Sequence, residues 1–169
     1  VSAAVDPRIT RILDEVDPAG TGADGALFTA PQLAALAAIP SSDDQLMEMV
    51  ADASLAPARR FVAAEALSEG PWSGWRPSPH DRGVVAGALA DAMATDRSHN
   101  RWGLPGTFVG PFGRRLMSLG AEADDALRAY LDDARPLAIE GSEAATINAG
   151  AGYRVGDLAA WLRASAGHR

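Results

Sequence analysis

Lysine and cysteine are both missing from this chain, and all fifteen of its basic residues are arginine. Without lysine there is neither a Schiff-base amine nor a P-loop cation. Without cysteine there is no disulfide framework, no thiolate zinc site and no cysteine nucleophile, a lack that fits reducing and oxidising compartments alike. Long apolar runs are lacking too: none approaches the roughly 18–20 residues of a bilayer-spanning helix, so no membrane partner is expected. No secretory signal pattern is visible. The expected location is cytoplasmic, with an exported form that has lost its signal as the alternative. Positive charge is also short, at 15 basic against 22 acidic residues and a formal net charge of −7. That is the wrong sign for a phosphate backbone, so no nucleic-acid partner is expected.

What the chain does have is length and apolar content. Its 169 residues are 47% hydrophobic and only 22% charged, with alanine prominent. This size is long enough to bury a core, and the simplest expectation is one all-helical domain over residues 1–169. Alanine-rich helices pack closely, which favours stacked helices over a sheet.

The apolar residues keep helical time along most of the chain. Asp6-Pro7 reads as a helix start, and Ile9, Ile12, Leu13 and Val16 follow as one stripe. A glycine-rich loop over 17–30 precedes a short helix opened by Thr29-Ala30-Pro31 and carrying Leu33 and Leu36. After Pro40, Ser42 with Gln45 three residues on predicts a capping box for a helix carrying Leu46, Met49 and Val50. Another helix is predicted over 57–68, with Val62, Ala63, Ala66 and Leu67 inward and Gly70 as its stop. The linker 70–79 holds Trp72 and Trp75 and is expected to pack down. Ser78 is predicted to cap a long helix reaching about Thr95, with Val85, Leu89, Ala92 and Met93 buried. A polar, turn-rich loop over 98–106 leads to a helix with Pro111 in its first turn, bearing Phe112, Leu116 and Leu119 and ended by Gly120. Ala123, Leu127 and Leu131 mark the next helix. A second polar loop, 136–152, carries a short helical stretch near 143–147, and Val155, Leu158, Ala159 and Leu162 close the chain as a clean amphipathic stripe. No segment outweighs these patterns as a strand, so the fold class is all-α.

Two helices share an arginine followed by small or apolar residues three and four on and a leucine seven on. These are Arg60 with Ala63, Ala64 and Leu67, and Arg82 with Val85, Ala86 and Leu89; Arg154 keeps the style loosely. This resembles the second helix of HEAT-like repeats, where small residues let helices stack and the arginine bonds a loop above. The blocks NRWGLPG (100–106), DDARP (132–136), GSEAAT (141–146) and YRVGDLAAW (153–161) resemble a group of bacterial HEAT-like proteins. The likeness covers 58–164 and leaves the N-terminal helices, 1–55, outside it. It implies an irregular α-solenoid, or stacked helical hairpins, and no particular activity. The 22 residues between Arg60 and Arg82 are too few for two full repeats.

Chemistry-bearing residues gather near helix ends. If the chain is an enzyme, His80, His99, Arg101, Glu140 and Glu143 are the candidates for general acid–base work, because a carboxylate beside an imidazole tunes both proton affinities. Trp102, Arg135, Arg154 and Asp157 are candidates for holding an anionic or planar ligand by stacking and forked donors. Each also has a plainer reading, with the arginines and Asp157 tying loops, Trp102 in a core and Glu143 at a helix start. His80, Asp81 and His99 lack any zinc-ligand spacing, and no metal or cofactor is expected. The loop from Asp17 has the length of a calcium loop, but Ala19, Thr21 and Phe28 stand where oxygen ligands belong. No G-x-S-x-G elbow occurs. Two functions stay open: a protein-interaction or adaptor module, or a small enzyme or enzyme subunit acting on a polar or anionic small molecule through a loop-edge pocket.

Overall fold

The computed structural model describes residues 5–20, 25–71, 77–146 and 151–166. Trp72 and Trp75 lie outside the described residues, and with them the packing expected of the linker. The regular structure of the described chain is helical apart from one two-stranded hairpin and an isolated bridge. Among the described residues no helix is long and apolar enough to cross a membrane. The chain forms two compact units, Val1–Ala88 and Leu89–Arg169.

The first unit holds α1 (Pro7–Asp14), α2 (Ala30–Ala37), α3 (Ser42–Ala51), α4 (Pro57–Glu69) and the start of α5 (Pro79–Thr95). Pro7 opens α1, where its missing N–H costs nothing, and the Asp6 carboxylate caps the Arg8 N–H at 2.9 Å. The predicted stripe closes inward at Ile9, Leu13 and Val16, joined by Leu36, Leu46, Met49, Val50, Phe61, Val62 and Leu67. The helices α3 and α4 form the most extensive pairing. Its alanines permit this: Ala63, Ala64 and Ala66 are fully buried, and Arg60 Nε donates to the Val50 carbonyl at 2.8 Å. Arg59 ties α4 to α1, pairing with Asp14 and donating to the Thr10 carbonyl at 3.1 Å. At the far end of α4, the Glu69 carboxylate accepts from the N–H groups of Leu27 and Phe28 at 3.0 and 3.1 Å.

The caps differ from expectation at Ser42, Gly70 and Gly120. Ser42 is not an N-cap: Ser41 takes that position at φ 50°, and Ser42 is the buried first residue of α3. The Gln45 amide is drawn elsewhere, accepting the Asp6 N–H at 2.7 Å and donating to the Pro40 carbonyl at 3.2 Å. A capping box does form at α2, between Thr29 and Gln32. Ser78 caps α5 as expected, in reciprocal bonds with Asp81. Gly70 follows the last residue of α4 in an extended conformation rather than a left-handed one.

The second unit contains the rest of α5, a 3-10 turn (His99–Arg101), the hairpin β1 (Gly103–Leu104) and β2 (Phe108–Val109), then α6 (Pro111–Met117), α7 (Ala121–Arg128), α8 (Ser142–Thr146) and α9 (Val155–Ala166). The strands pair antiparallel, Gly103 with Val109 and Leu104 with Phe108. This small sheet corrects the expectation of no strand. Helix α6 ends at Met117, before Leu119, and Gly120 serves as the N-cap of α7 rather than as a helix stop. Helix α9 packs on both α6 and α7, burying Val155, Leu158, Ala159 and Leu162.

Gly113 and Gly156 are among the glycines that mark where backbones touch. A Cβ on Gly113 would fall on the Trp102 carbonyl oxygen and within 3.0 Å of Leu162 Cδ2; one on Gly156 would fall on the Leu131 carbonyl. Gly113→Ala is therefore expected to destabilise by about 2 kcal/mol, the steric cost outweighing alanine's better helix propensity. A denaturation midpoint equal to or above the parent's would show that α6 does not press on the loop.

Candidate functional site

The loop after α5 is built around Asp96. Its carboxylate accepts from Arg101 Nη2 at 2.7 and 2.6 Å, from Trp102 Nε1 at 2.7 Å and from the Ser98 N–H at 3.1 Å. Both members of the Asp96–Arg101 pair are nearly buried, at 12% and 13% side-chain exposure. The Arg101 guanidinium also lies over the Phe112 ring, 5.4 Å from its centre, and Trp102 meets the same ring at 5.6 Å with a 56° tilt. Trp102 is completely buried, so its indole offers no face to a ligand from solvent.

A strap, residues 133–140, runs between this loop and the start of α9. On one side the His99 N–H donates to the Ala138 carbonyl at 2.7 Å, and the Ala138 N–H returns to His99 Nδ1 at 2.9 Å. Asn100 repeats the exchange with Glu140: its Oδ1 accepts the Glu140 N–H at 2.9 Å and its Nδ2 donates to the Glu140 carbonyl at 3.0 Å. On the other side Leu137 N–H bonds Tyr153 O, Val155 N–H bonds Arg135 O, and Pro136 bridges Arg154. The Tyr130 hydroxyl donates to Asp91, linking the end of α7 to α5; burial and that carboxylate push its ionisation upward.

The residues singled out from sequence fall as follows. His99, Arg101 and Glu140 are brought to one edge of the second unit, with the Glu140 contact made by its backbone. His99 is buried, and burial pulls its pKa down; the backbone carbonyl of Ala138, the charge of Asp96 and the carbonyl of Met93 partly offset this, while Arg135 adds to it. Arg135 pairs with Asp133 at 2.5 Å, which lowers the carboxyl's pKa and raises the guanidinium's. Arg154 pairs with Asp157 at 3.1 Å with the same pair of effects, and the Asp157 carboxylate also accepts the Arg154 N–H at 2.8 Å. These two arginines keep about half of their side-chain surface, so they are ion-paired yet accessible. Glu140 is exposed and Glu143 half-buried near the start of α8. His80 belongs to the first unit.

There His80 borders an open cleft of about 500 Å³, lined by Asp44, Met47, Glu48 and Ala51 from α3 and by His80, Asp81 and Val84 from α5. The α3 residues recur at i, i+3, i+4 and i+7, one stripe of the helix, adjacent to the stripe of Leu46, Met49 and Val50 that faces the core. Its apolar members, Met47, Ala51 and Val84, sit among three carboxylates. The Asp81 carboxyl is held below the usual range by the Ser78 hydroxyl and N–H, and by the charge of His80. The stripe at Asp44, Met47, Glu48 and Ala51 was visible in the sequence spacing but was hidden by the stronger core pattern beside it. Asp96 and Asp133 were overlooked among the site residues as well, although each stands within five residues of the arginine it holds.

Among the described residues no group of three or more His, Asp or Glu side chains is arranged to hold a metal ion. Comparison with family models, curated proteins and solved structures found no match to this chain.

Proposed function

We propose that this chain is a non-enzymatic protein-binding module, an irregular HEAT-like helical scaffold that receives a basic segment of a partner protein in the α3–α5 cleft. The observation that carries the reading is the lining of that cleft. Asp44, Glu48 and Asp81 surround apolar ground at Met47, Ala51 and Val84, with His80 as the only basic residue among the described residues of the lining. An arginine or lysine side chain suits this, its aliphatic stem on the apolar floor and its head among the carboxylates. The tight pairing of α3 and α4, and the Arg60 bond to Val50, support the HEAT-like scaffold. The alternative, general acid–base chemistry at the loop edge, needs His99 and Arg101 to turn toward a substrate. Arg101 is engaged within its own loop and His99 with the strap, which favours binding over catalysis.

The test is affinity capture with the parent protein beside the charge-reversed variant Asp44→Arg/Glu48→Arg. A partner held by the parent at about 0.1 M salt, released as screening increases and lost by the variant, is expected. A partner held equally by both proteins would overturn the assignment. Equal melting temperatures for the two proteins establish that any loss belongs to the cleft.

A further inference from the structure

His99 is a buried imidazole whose two nitrogens have unlike surroundings. Nδ1 accepts the Ala138 N–H at 2.9 Å, so it carries no proton, and the neutral ring holds its hydrogen on Nε2, a tautomer assigned from the bonding pattern. Nε2 is buried and, among the described residues, meets no hydrogen-bond partner. The charges facing the ring come from two segments: Asp96 from the turn after α5, and Asp133 and Arg135 from the strap. The Met93 and Ala138 carbonyls also favour a cation. The Ala138 oxygen, however, lies 3.3 Å from Nδ1 and already accepts the His99 N–H at 2.7 Å.

We propose that His99 is a proton-operated latch: protonation at Nδ1 turns the acceptor of the Ala138 N–H into a second donor and frees residues 137–140 from the turn at 99–101, while the rest of the second unit stays folded. Donor then faces donor across 2.9 Å, and a cation stands where no water reaches it. The Asn100–Glu140 exchange is exposed, so water competes for its bonds. Leu137, buried when the latch is closed, becomes accessible when it opens.

The direction with pH follows from burial, which holds the ring's pKa below its ordinary value of 6.5. The folded state then binds fewer protons than the unfolded one. The stability contributed by the neutral ring is full above the ordinary histidine range. It declines as pH falls through that range and is gone below the ring's own folded pKa. The latch is closed at neutral pH and opens in acid.

Amide exchange in the ¹⁵N-labelled full chain, corrected for intrinsic rates, tests this between about pH 7.5 and pH 5. Protection of the Ala138 N–H is expected to fall at least about tenfold, with the same midpoint as the His99 ring resonances, while Leu158 and Leu162 remain protected. In His99→Asn, whose Oδ1 accepts at the Nδ1 position and does not titrate, Ala138 protection is expected to be flat. Ala138 protection that persists through the ring's titration overturns the proposal. So does a loss shared with the α9 amides, or an equal loss in His99→Asn. Should His99→Asn fail to fold, the parent's two midpoints decide: coincidence supports the latch and separation refutes it.

Discussion

Asp96→Ala is expected to lower the stability of the protein by about 3–5 kcal/mol, the range for removing one partner of a buried ion pair. Three donors converge on this carboxylate, from Arg101, the Trp102 indole and the Ser98 backbone. Water does not replace it easily. The Arg101 side chain keeps only 13% of its surface and Trp102 none, so alanine strands a guanidinium and an indole N–H in the interior. The cost should lie in the abandoned partners rather than in the worth of the pair. Asp96→Ala/Arg101→Met is accordingly expected to be less damaged than Asp96→Ala alone, since the cation is removed with its counter-ion. Urea unfolding of the two variants measures both differences. A loss within about 0.5 kcal/mol for the single variant would place Asp96 among ordinary surface residues.

Leu158→Asp is expected to be worse still, leaving little folded second unit at ambient temperature. Leu158 is fully buried on α9, the helix that packs against both α6 and α7. An unpaired carboxylate there costs more than a single domain's usual margin of about 5–15 kcal/mol comfortably allows. Leu158→Ala gives the measurable companion: removal of the same side chain without the charge should cost about 2–5 kcal/mol. Circular dichroism melts read both. An unchanged melting temperature for the aspartate variant would mean that α9 is not docked.

The helices were legible because burial imposes a period on the sequence, and the period survives in composition as biased as this. Ile9, Leu13 and Val16 in α1, and Val155, Leu158, Ala159 and Leu162 in α9, are inward as their spacing required. Two-residue strands leave no such period. The hairpin at Gly103–Leu104 and Phe108–Val109 is short, and its neighbours are prolines and glycines that read as turn. Capping was legible only in part, since the same local pattern occurs at Thr29–Gln32 and at Ser42–Gln45. The second is overridden from afar, because the Asp6 N–H claims the Gln45 side chain. Whether a local signal prevails depends on a partner 39 residues away.

The candidate site illustrates the same limit. His99, Arg101 and Glu140 do meet at one edge, but through Asp96, the Ala138 backbone and the Glu140 backbone. Residue type alone cannot distinguish an arginine waiting for a ligand from one already satisfied. A nearby acid can: Asp6 with Arg8, Asp96 with Arg101, Asp133 with Arg135 and Arg154 with Asp157 are all ion pairs separated by two to five positions. The cleft was obscured for the opposite reason. Asp44, Met47, Glu48 and Ala51 keep helical spacing as faithfully as the core residues, but a stripe of mixed polarity registers as ordinary surface until α5 is seen beside it.

The central claim is that partner contact belongs to the α3–α5 cleft and not to the loop edge of the second unit. The most direct measurement sets two variants side by side in the same capture experiment: Asp44→Arg/Glu48→Arg in the cleft and Glu140→Ala/Glu143→Ala at the loop edge. The account predicts that the partner held by the parent is lost by the first and kept by the second. Loss by the second alone, with its fold intact, would contradict it.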